Sequence, residues 1–397
     1  MPVSPTNSTL AHHRTQLSRR IVLSGAAGLA VGLAGATGAA ADSGGAAASG
    51  AARPGGRAKR AVAAAHRALE RDYAAPWPQL LHNSFPASAD GDRAFHYWWL
   101  AHAVDAYLDG YERTGRRSFL ADAEQVVAAI RARNGGHLVN DYFDDMNWLA
   151  LATHRLWTHT QDQTYLDDAH DLWEEIVTDG WNDTFGPSVA WRREQLDYKN
   201  TPSNAPFAIL SYRLHRESGE DRFAEYGDAA LTWMRETLVD PETGFVADGI
   251  NRQGDGAIDW NWRFTYCQGV WIGALVESAR THGDHALLDE AARTGVFSVR
   301  ELTAGPVFSP EGQGDGGLFK GIWYRYAALL LQELPDGGAR RELTAFIRTS
   351  TQALADSSLA RGVLLAGPDW RIPAPATTDL ATHLSGVMAL EAAAAIE

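Results

Sequence analysis

With 397 residues, one cysteine and 45% hydrophobic residues, the chain can bury a large core and is no small disulfide-built scaffold. A formal charge of −14 argues against nucleic acid and anionic membrane as partners, since both carry the same sign. Fourteen tryptophans, twelve tyrosines and thirteen phenylalanines supply flat apolar faces for core packing or for stacking a ligand.

In chain order, SRRIVLSGAAGLAVGLAGATGAAAD begins with the adjacent Arg19 and Arg20, continues as a weakly apolar Gly/Ala stretch and ends in small residues. It reads as a twin-arginine export signal over residues 1–41, which predicts a secreted protein. A membrane anchor is the alternative, but glycine and alanine hold a helix poorly in lipid. Removing this segment, with three arginines and no acid, takes the formal charge from −14 to −17. Residues 42–57, with SGGAAASGAARPGG, have too little apolar mass to fold and read as a flexible linker. The lone Cys267 excludes an intrachain disulfide and a cysteine-based zinc site.

The remainder, 58–397, reads as one helical domain. Apolar residues recur at three and four, predicting helices near 58–74, 93–114, 118–133, 144–160, 163–178, 203–217, 220–238, 264–282, 284–301, 317–334, 338–355 and 376–396. The segments come in pairs, an apolar helix followed by a polar turn and an amphipathic helix, at a period of roughly 50–60 residues. Even-numbered segments such as GIWYRYAALLL are apolar nearly all round, whereas odd-numbered ones such as ADAEQVVAAIRAR keep a polar face. Helices of the first kind are buried and those of the second face water. Six inner helices ringed by six outer ones make an all-α (α/α)6 toroid of six helical hairpins. An open solenoid is the alternative, disfavoured by the absence of capping repeats.

This topology gathers the N-terminal ends of the even helices at one mouth, together with long connections at 179–202, 239–263 and 302–316, rich in Trp, Gly, Asp and Asn. Binding residues usually ride on such loops. Asp92, Asp144, Asp145, Asn200, Asn204, Asp259, Tyr266, Asp315 and Asp379 are therefore expected around that opening. NDYFDDMNWLALA, residues 140–152, stands out because Asp144 and Asp145 lie side by side before an apolar run. One reading makes Asp144 the helix N-cap, with Asp145 in the first turn. The other makes them a catalytic pair, since close carboxylates share protons unequally and a retaining glycosidase needs an acid and a nucleophile about 5–5.5 Å apart. Tyr142, Phe143 and Trp148 would supply desolvation and a stacking wall.

Other segments are less informative. Trp98 and Trp271, at helical spacing, read as core; the loop residues Trp191, Trp260 and Trp262 suit core or pyranose stacking equally. Lys199 and Asn200 suit hydroxyl binding or an ordinary turn. SPEGQGDGGLFKG follows no strand and lacks the ending of a phosphate loop. His282 and His285 lie beside a surface turn without a metal-binding frame, and no G-x-S-x-G elbow is present. An isoprenoid cyclase is excluded because Met146, Asn147 and Trp148 follow the aspartates where magnesium ligands would be needed.

NDYFDDMNWLALA resembles the signature of glycoside hydrolase family 76, the α-1,6-mannanases. FHYWWLAHAVDAYLDGY, YKNTPSNAP, TGFVADG, FTYCQGVWIGAL and GDGGLFKGIWYRY match in order, so the resemblance spans about residues 60–395. Cys267, where the family often has Asn, and GPSVAW before the loop tryptophan are departures that leave the pair untouched. The resemblance implies a retaining endo-α-1,6-mannanase on an (α/α)6 fold, with Asp144 as nucleophile and Asp145 as general acid/base. It implies sugar contacts from Asn200, Asp248, Tyr266, Gln268 and Lys320, more loosely from Trp99 and Trp191, with Tyr142 beside them. No cofactor or metal is required, the expected partner is an α-mannan or manno-oligosaccharide substrate, and the protein is expected to be a monomer without a stable membrane partner. A transglycosylase and a non-catalytic glycan-binding protein are the alternatives.

Overall fold

The computed structural model describes residues 54–397, with side chains from residue 60. The expected export signal and residues 42–53 of the expected linker lie outside the described residues. Residues 54–57 are already helical: the first helix begins at Pro54, four residues ahead of the sequence boundary.

All twelve expected helices are present. The outer set is α1 (Pro54–Asp72), α3 (Arg117–Arg133), α5 (Gln163–Gly180), α7 (Asp221–Thr237), α9 (Ala286–Glu301) and α11 (Gly338–Ser358); the inner set is α2 (Tyr97–Thr114), α4 (Phe143–Thr160), α6 (Thr201–Ser218), α8 (Thr265–His282), α10 (Gly316–Glu333) and α12 (Leu380–Ala395). Each inner helix packs on the next, and α12 returns to α2, closing an (α/α)6 ring. The burial pattern explains the sorting. In α12 every residue from Leu380 to Ala393 is buried, whereas α5 buries only Ala169, Leu172, Trp173, Ile176 and its terminal Gly180. A helix with no wettable face belongs inside, and one with a narrow apolar stripe can only cover. Neighbouring inner helices approach closely where a side chain is missing: a Cβ on Gly269 would lie 2.6 Å from the Trp323 Cα, and one on Gly321 2.7 Å from the Ser385 Cα.

Four inner helices end in a left-handed residue that opens the short turn, Gly115, Gln161, Gly219 and Gly283. At the other mouth the connections are longer and partly extended, which helical periodicity did not anticipate. The strands are β1 (Ser84–Phe85), β2 (Trp181–Asn182), β3 (Ser188–Arg192), β4 (Gln195–Asn200), β5 (Gly249–Ile250), β6 (Thr303–Ala304), β7 (Val307–Phe308), β8 (Leu359–Ala360), β9 (Val363–Leu364) and β10 (Thr378–Asp379). β2 to β5 form an antiparallel sheet in chain order, with Trp181 opposite Val189, Ala190 opposite Lys199 and Lys199 opposite Ile250. It joins the connections leading into α6 and α8. β10 pairs with β1 and takes Thr378 and Asp379 out of the expected last helix, which begins at Leu380.

Candidate active site

The segment NDYFDD forms the entry to α4. Tyr142, not Asp144, stands at the cap position with extended backbone, so Asp144 and Asp145 both occupy the first turn. The expectation of Asp144 as the formal N-cap is corrected by two residues. A carboxylate there still meets the positive end of the helix dipole. Asp144 Oδ1 accepts the backbone N–H of Asp145 at 2.9 Å, and Oδ2 accepts the indole N–H of Trp191 at 3.1 Å. Asp145 Oδ2 accepts the Asn140 side-chain amide at 3.4 Å. The two residues are buried, 4% and 6% exposed, at the N-terminal end of an inner helix.

The β3–β4 hairpin brings Trp191 over this pair. Half-buried Tyr142 meets the Trp191 ring edge-on at 5.4 Å, and Arg192 lies over the same indole at 4.6 Å while donating to the Tyr142 hydroxyl at 3.3 Å. On the α2 side, the indole N–H groups of Trp98 and Trp99 both donate to Asp315 Oδ1 at 2.9 Å, and His96 stacks on Trp99 at 3.6 Å. Trp98 also approaches Trp148 and Phe319, each at 6.4 Å, and Phe319 stacks on Tyr266 at 3.9 Å. Aromatic contacts thus link the starts of α4, α2, α10 and α8. Trp98, read from spacing as core, is also the anchor of Asp315. Trp271 is core as read, whereas Trp260 is exposed and Trp262 carries Arg252 over its ring at 3.9 Å.

Several residues singled out from sequence lie beneath the opening with their polar atoms engaged by protein. Gln268 is fully buried: its amide donates to the Val246 carbonyl at 2.7 Å and accepts the Val246 N–H at 2.9 Å, which clamps the backbone and corrects its reading as a sugar contact. Lys320 is 2% exposed, donates to the Pro368 carbonyl and sits over Trp370 at 5.0 Å. Burial pushes its ammonium down to about 8, against the pull of Glu311. Asn200 caps α6, its side chain accepting the Ser203 N–H at 3.2 Å. Asp248 accepts the hydroxyls of Tyr266 at 2.7 Å and Tyr198 at 3.0 Å and is paired with Arg252, which also holds Asp259 at 2.9 Å. Asp248 is 2% exposed, with each oxygen accepting one of these hydroxyls. Tyr266 shares that network; burial first and Asp248 second raise its phenol well above the usual range. Lys199 and Asn204 are fully buried on backbone groups, Lys199 on the carbonyls of Asn182 and Gly186, Asn204 on Val189. Asp92 holds His82 and the Asn83 backbone, and Asp379 caps α12 while accepting the Gly314 N–H at 2.8 Å. Of the substrate contacts expected from sequence, Tyr142, Trp191, Tyr266 and Trp99 stand with the aspartates around the mouth.

Glu311 escaped sequence reading. It is half-buried in the connection into α10, and its carboxylate accepts the Thr265 N–H at 2.8 Å and hydroxyl at 2.6 Å, capping α8 from another segment. Burial raises it to about 7, against the lowering effect of Thr265 and Lys320. His96 and Arg252 were also passed over. No local spacing marks Glu311, whose partner Thr265 lies in another segment, whereas His96 three residues before Trp99 and Arg252 four residues after Asp248 are local pairings.

The pattern of mouth and motif agrees with comparison to known proteins. Residues 59–393 match the sequence profile of Glycosyl hydrolase family 76. The chain belongs to glycosyl hydrolase family 76. A Listeria innocua protein of known structure is 41% identical, with a TM-score of 0.81 over 86% of this chain and 97% of that one. The GH76A α-1,6-mannanase of a Salegentibacter species is 37% identical, with a TM-score of 0.79 over 87% of this chain and all of that one. A variant of that mannanase, described as inactive and carrying asparagine at two adjacent aspartates, is known in complex with α-1,6-mannotriose; it is 36% identical with a TM-score of 0.79 over the same shares. Among curated sequences, the mannan endo-1,6-α-mannosidase of Candida glabrata is 22% identical over 201 residues, 44% of this chain. The match spans 42% of that relative's length, less than half of it. The family 76 toroid described above is the architecture of these structural neighbours.

Proposed function

We propose that this family 76 protein is an exported, retaining endo-α-1,6-mannanase. The observation that carries the reading is the placement of Asp144 and Asp145 in the first turn of an inner helix, buried at an aromatic-lined mouth, with Trp191 bonded to Asp144. It is supported by the Salegentibacter variant, inactive with two adjacent aspartates replaced and bound to α-1,6-mannotriose.

In this mechanism the Asp144 carboxylate attacks the anomeric carbon while the Asp145 carboxylic acid protonates the departing glycosidic oxygen. The C–O bond breaks and a glycosyl ester forms on Asp144. Asp145, now a carboxylate, takes a proton from water, which attacks the same carbon and releases Asp144 with configuration retained. The Trp191 N–H would steady the nucleophile between attack and release, and the aromatic walls would exclude water from the first step. Residues 1–41, with the Arg19–Arg20 pair, are proposed to direct export.

The test is incubation of the mature protein with linear α-1,6-mannan and with α-1,2- and α-1,3-linked mannosides. Cleavage of the first alone, with an α-configured initial product by NMR, is expected. A β-configured first product would reject double displacement. Absence of cleavage together with sugar binding that survives Asp144→Ala would point to a glycan-binding protein, and transfer to a sugar acceptor in place of water to a transglycosylase.

A further inference from the structure

The aromatic wall around Asp144 and Asp145 runs in two arcs, and they meet at one guanidinium. The first arc leaves Asp144 through Trp191, whose ring stands edge-on to Tyr198 at 5.6 Å; the Tyr198 ring in turn carries Arg252 at 4.7 Å. The second leaves Trp98 through Phe319 and Phe264, 5.0 Å apart, and reaches Trp262, which meets Phe264 edge-on at 5.6 Å. Arg252 also lies over Trp262 at 3.9 Å. It therefore closes the wall between the β3–β4 hairpin and the connection into α8.

The guanidinium is fixed on several sides but not used up. Its Nε donates to Asp259 at 2.9 Å, and its Nη2 donates to Asp248 and to the Tyr198 hydroxyl. Nη1 has no hydrogen-bond partner among the described residues and, unlike the buried Nε of Arg192, keeps accessible surface; the side chain as a whole is 20% exposed. Two carboxylates and two rings thus hold the group before any ligand arrives, and a donor held in advance loses little freedom on binding. Asp248 and Asp259 already offset the positive charge, so an anion gains little here. A neutral oxygen such as a hydroxyl accepts from the open nitrogen without leaving a charge unpaired.

We infer that Arg252 is a substrate-contacting residue that sets how much of the chain is recognised: its Nη1 donates to hydroxyl oxygens of a sugar unit farther along an α-1,6-mannan chain than the one Asp144 attacks. The inference rests on the mannanase reading and adds a chain-length determinant to it. Two ring contacts separate the guanidinium from the indole that bonds Asp144, so the unit it meets is not the one undergoing substitution. Asp259 and Trp262 act through Arg252, the first by holding its Nε and the second by supporting its flat face.

The test is a ladder of α-1,6-linked manno-oligosaccharides, from the disaccharide to the hexasaccharide, bound calorimetrically to the Asp144→Asn/Asp145→Asn protein so that no sugar is consumed. Affinity should rise by about tenfold (~1.4 kcal/mol) at the step where the added unit reaches Arg252. Arg252→Lys in the same background keeps a charge beside Asp248 but offers no second nitrogen, and it should flatten that step. A residue that only ties the connection down would weaken every length alike. Trp262→Phe keeps a ring under the guanidinium and should keep the step. Trp262→Ala removes that support, leaves Asp248 with its arginine, and should shrink the step.

Equal weakening at every length in Arg252→Lys, a ladder without a step, or a step that survives Arg252→Lys overturns the inference and leaves Arg252 as a brace of the connection into α8. Cleavage of linear α-1,6-mannan by the protein with both aspartates and Arg252 intact is measured separately. Cleavage without an Arg252-dependent step removes this inference alone. A step without cleavage removes the mannanase reading and leaves Arg252 as a determinant of glycan binding.

Discussion

The reactive pair and the C-terminal mouth of the ring hold their carboxylates differently. At the C-terminal mouth Asp105, Glu277 and Glu391 are held by guanidinium groups. For Asp105 and Glu277, burial alone would raise the carboxyl, but Arg325 and Arg155 outweigh it at Asp105, and Arg213 and Arg216 at Glu277, leaving both below the ordinary range. At the N-terminal mouth Asp248 is likewise paired with Arg252, whereas Asp144 receives an indole and a backbone N–H and Asp145 an amide. The contrast teaches that similar burial serves two ends. A carboxylate locked to arginine ties helices together as a fixed anion, whereas Asp144 and Asp145 stand in the first turn of an inner helix, where the proposed double displacement needs them.

The comparison breaks most directly at the reactive pair. Asp145→Asn should lower kcat on α-1,6-mannan by roughly 10²–10⁴-fold, as loss of a general acid does, with the circular dichroism spectrum unchanged. A fully active variant would assign Asp145 to helix capping. At the other mouth, Glu277→Ala removes the buried carboxylate that ties the half-buried Arg213 and the exposed Arg216 to α8 and should cost about 1.5–3 kcal/mol of stability, read as a lower urea midpoint. Its kcat at a permissive temperature should stay within twofold of the wild type (~0.4 kcal/mol); a large loss would mean that the two mouths are coupled. Trp191→Phe keeps a ring over Asp144 but removes the N–H bond, so kcat/KM should fall by about 1.5–3 kcal/mol in transition-state terms. An unchanged value would reduce Trp191 to a stacking surface.

Taken per histidine and per pH unit, the smallest effect is on pH. His102 and His154 are pushed down to about 3 and His383 to about 4, each chiefly by burial, from 6.5. Their folded values are depressed, so the unfolded chain binds more protons, and stability falls as pH drops from 6.5 toward 4. The slope is about 1.4 kcal/mol per pH unit for each histidine that stays neutral in the fold. Urea titrations across that interval should show the decline, and His383→Gln should flatten it. An unchanged slope in that variant would mean that His383 protonates without unfolding.

Legibility from sequence followed the range of each interaction. Twelve helices and their inner or outer assignment were readable because three- and four-residue periodicity is local. The aspartate pair was readable because it is contiguous. Trp98 and Trp99 were not readable as anchors of Asp315, since more than two hundred residues separate them. Gln268, Lys320 and Asp248 belonged to matching motifs, yet motif membership carries no sign of which way a side chain turns. The structure turns Gln268 onto the Val246 backbone and Asp248 onto two tyrosines and Arg252. The β2–β5 sheet was missed because its strands are short and its last pairing joins different connections.

By itself, the sequence determined which helices can lie inside and that carboxylates start one of them, since hydrophobic periodicity and adjacency need no partner. Only the tertiary structure decided which polar groups line the opening, which brace it from below and where arginines neutralise acids at the far end. Those outcomes depend on burial and hydrogen bonding between segments that meet only when the ring closes.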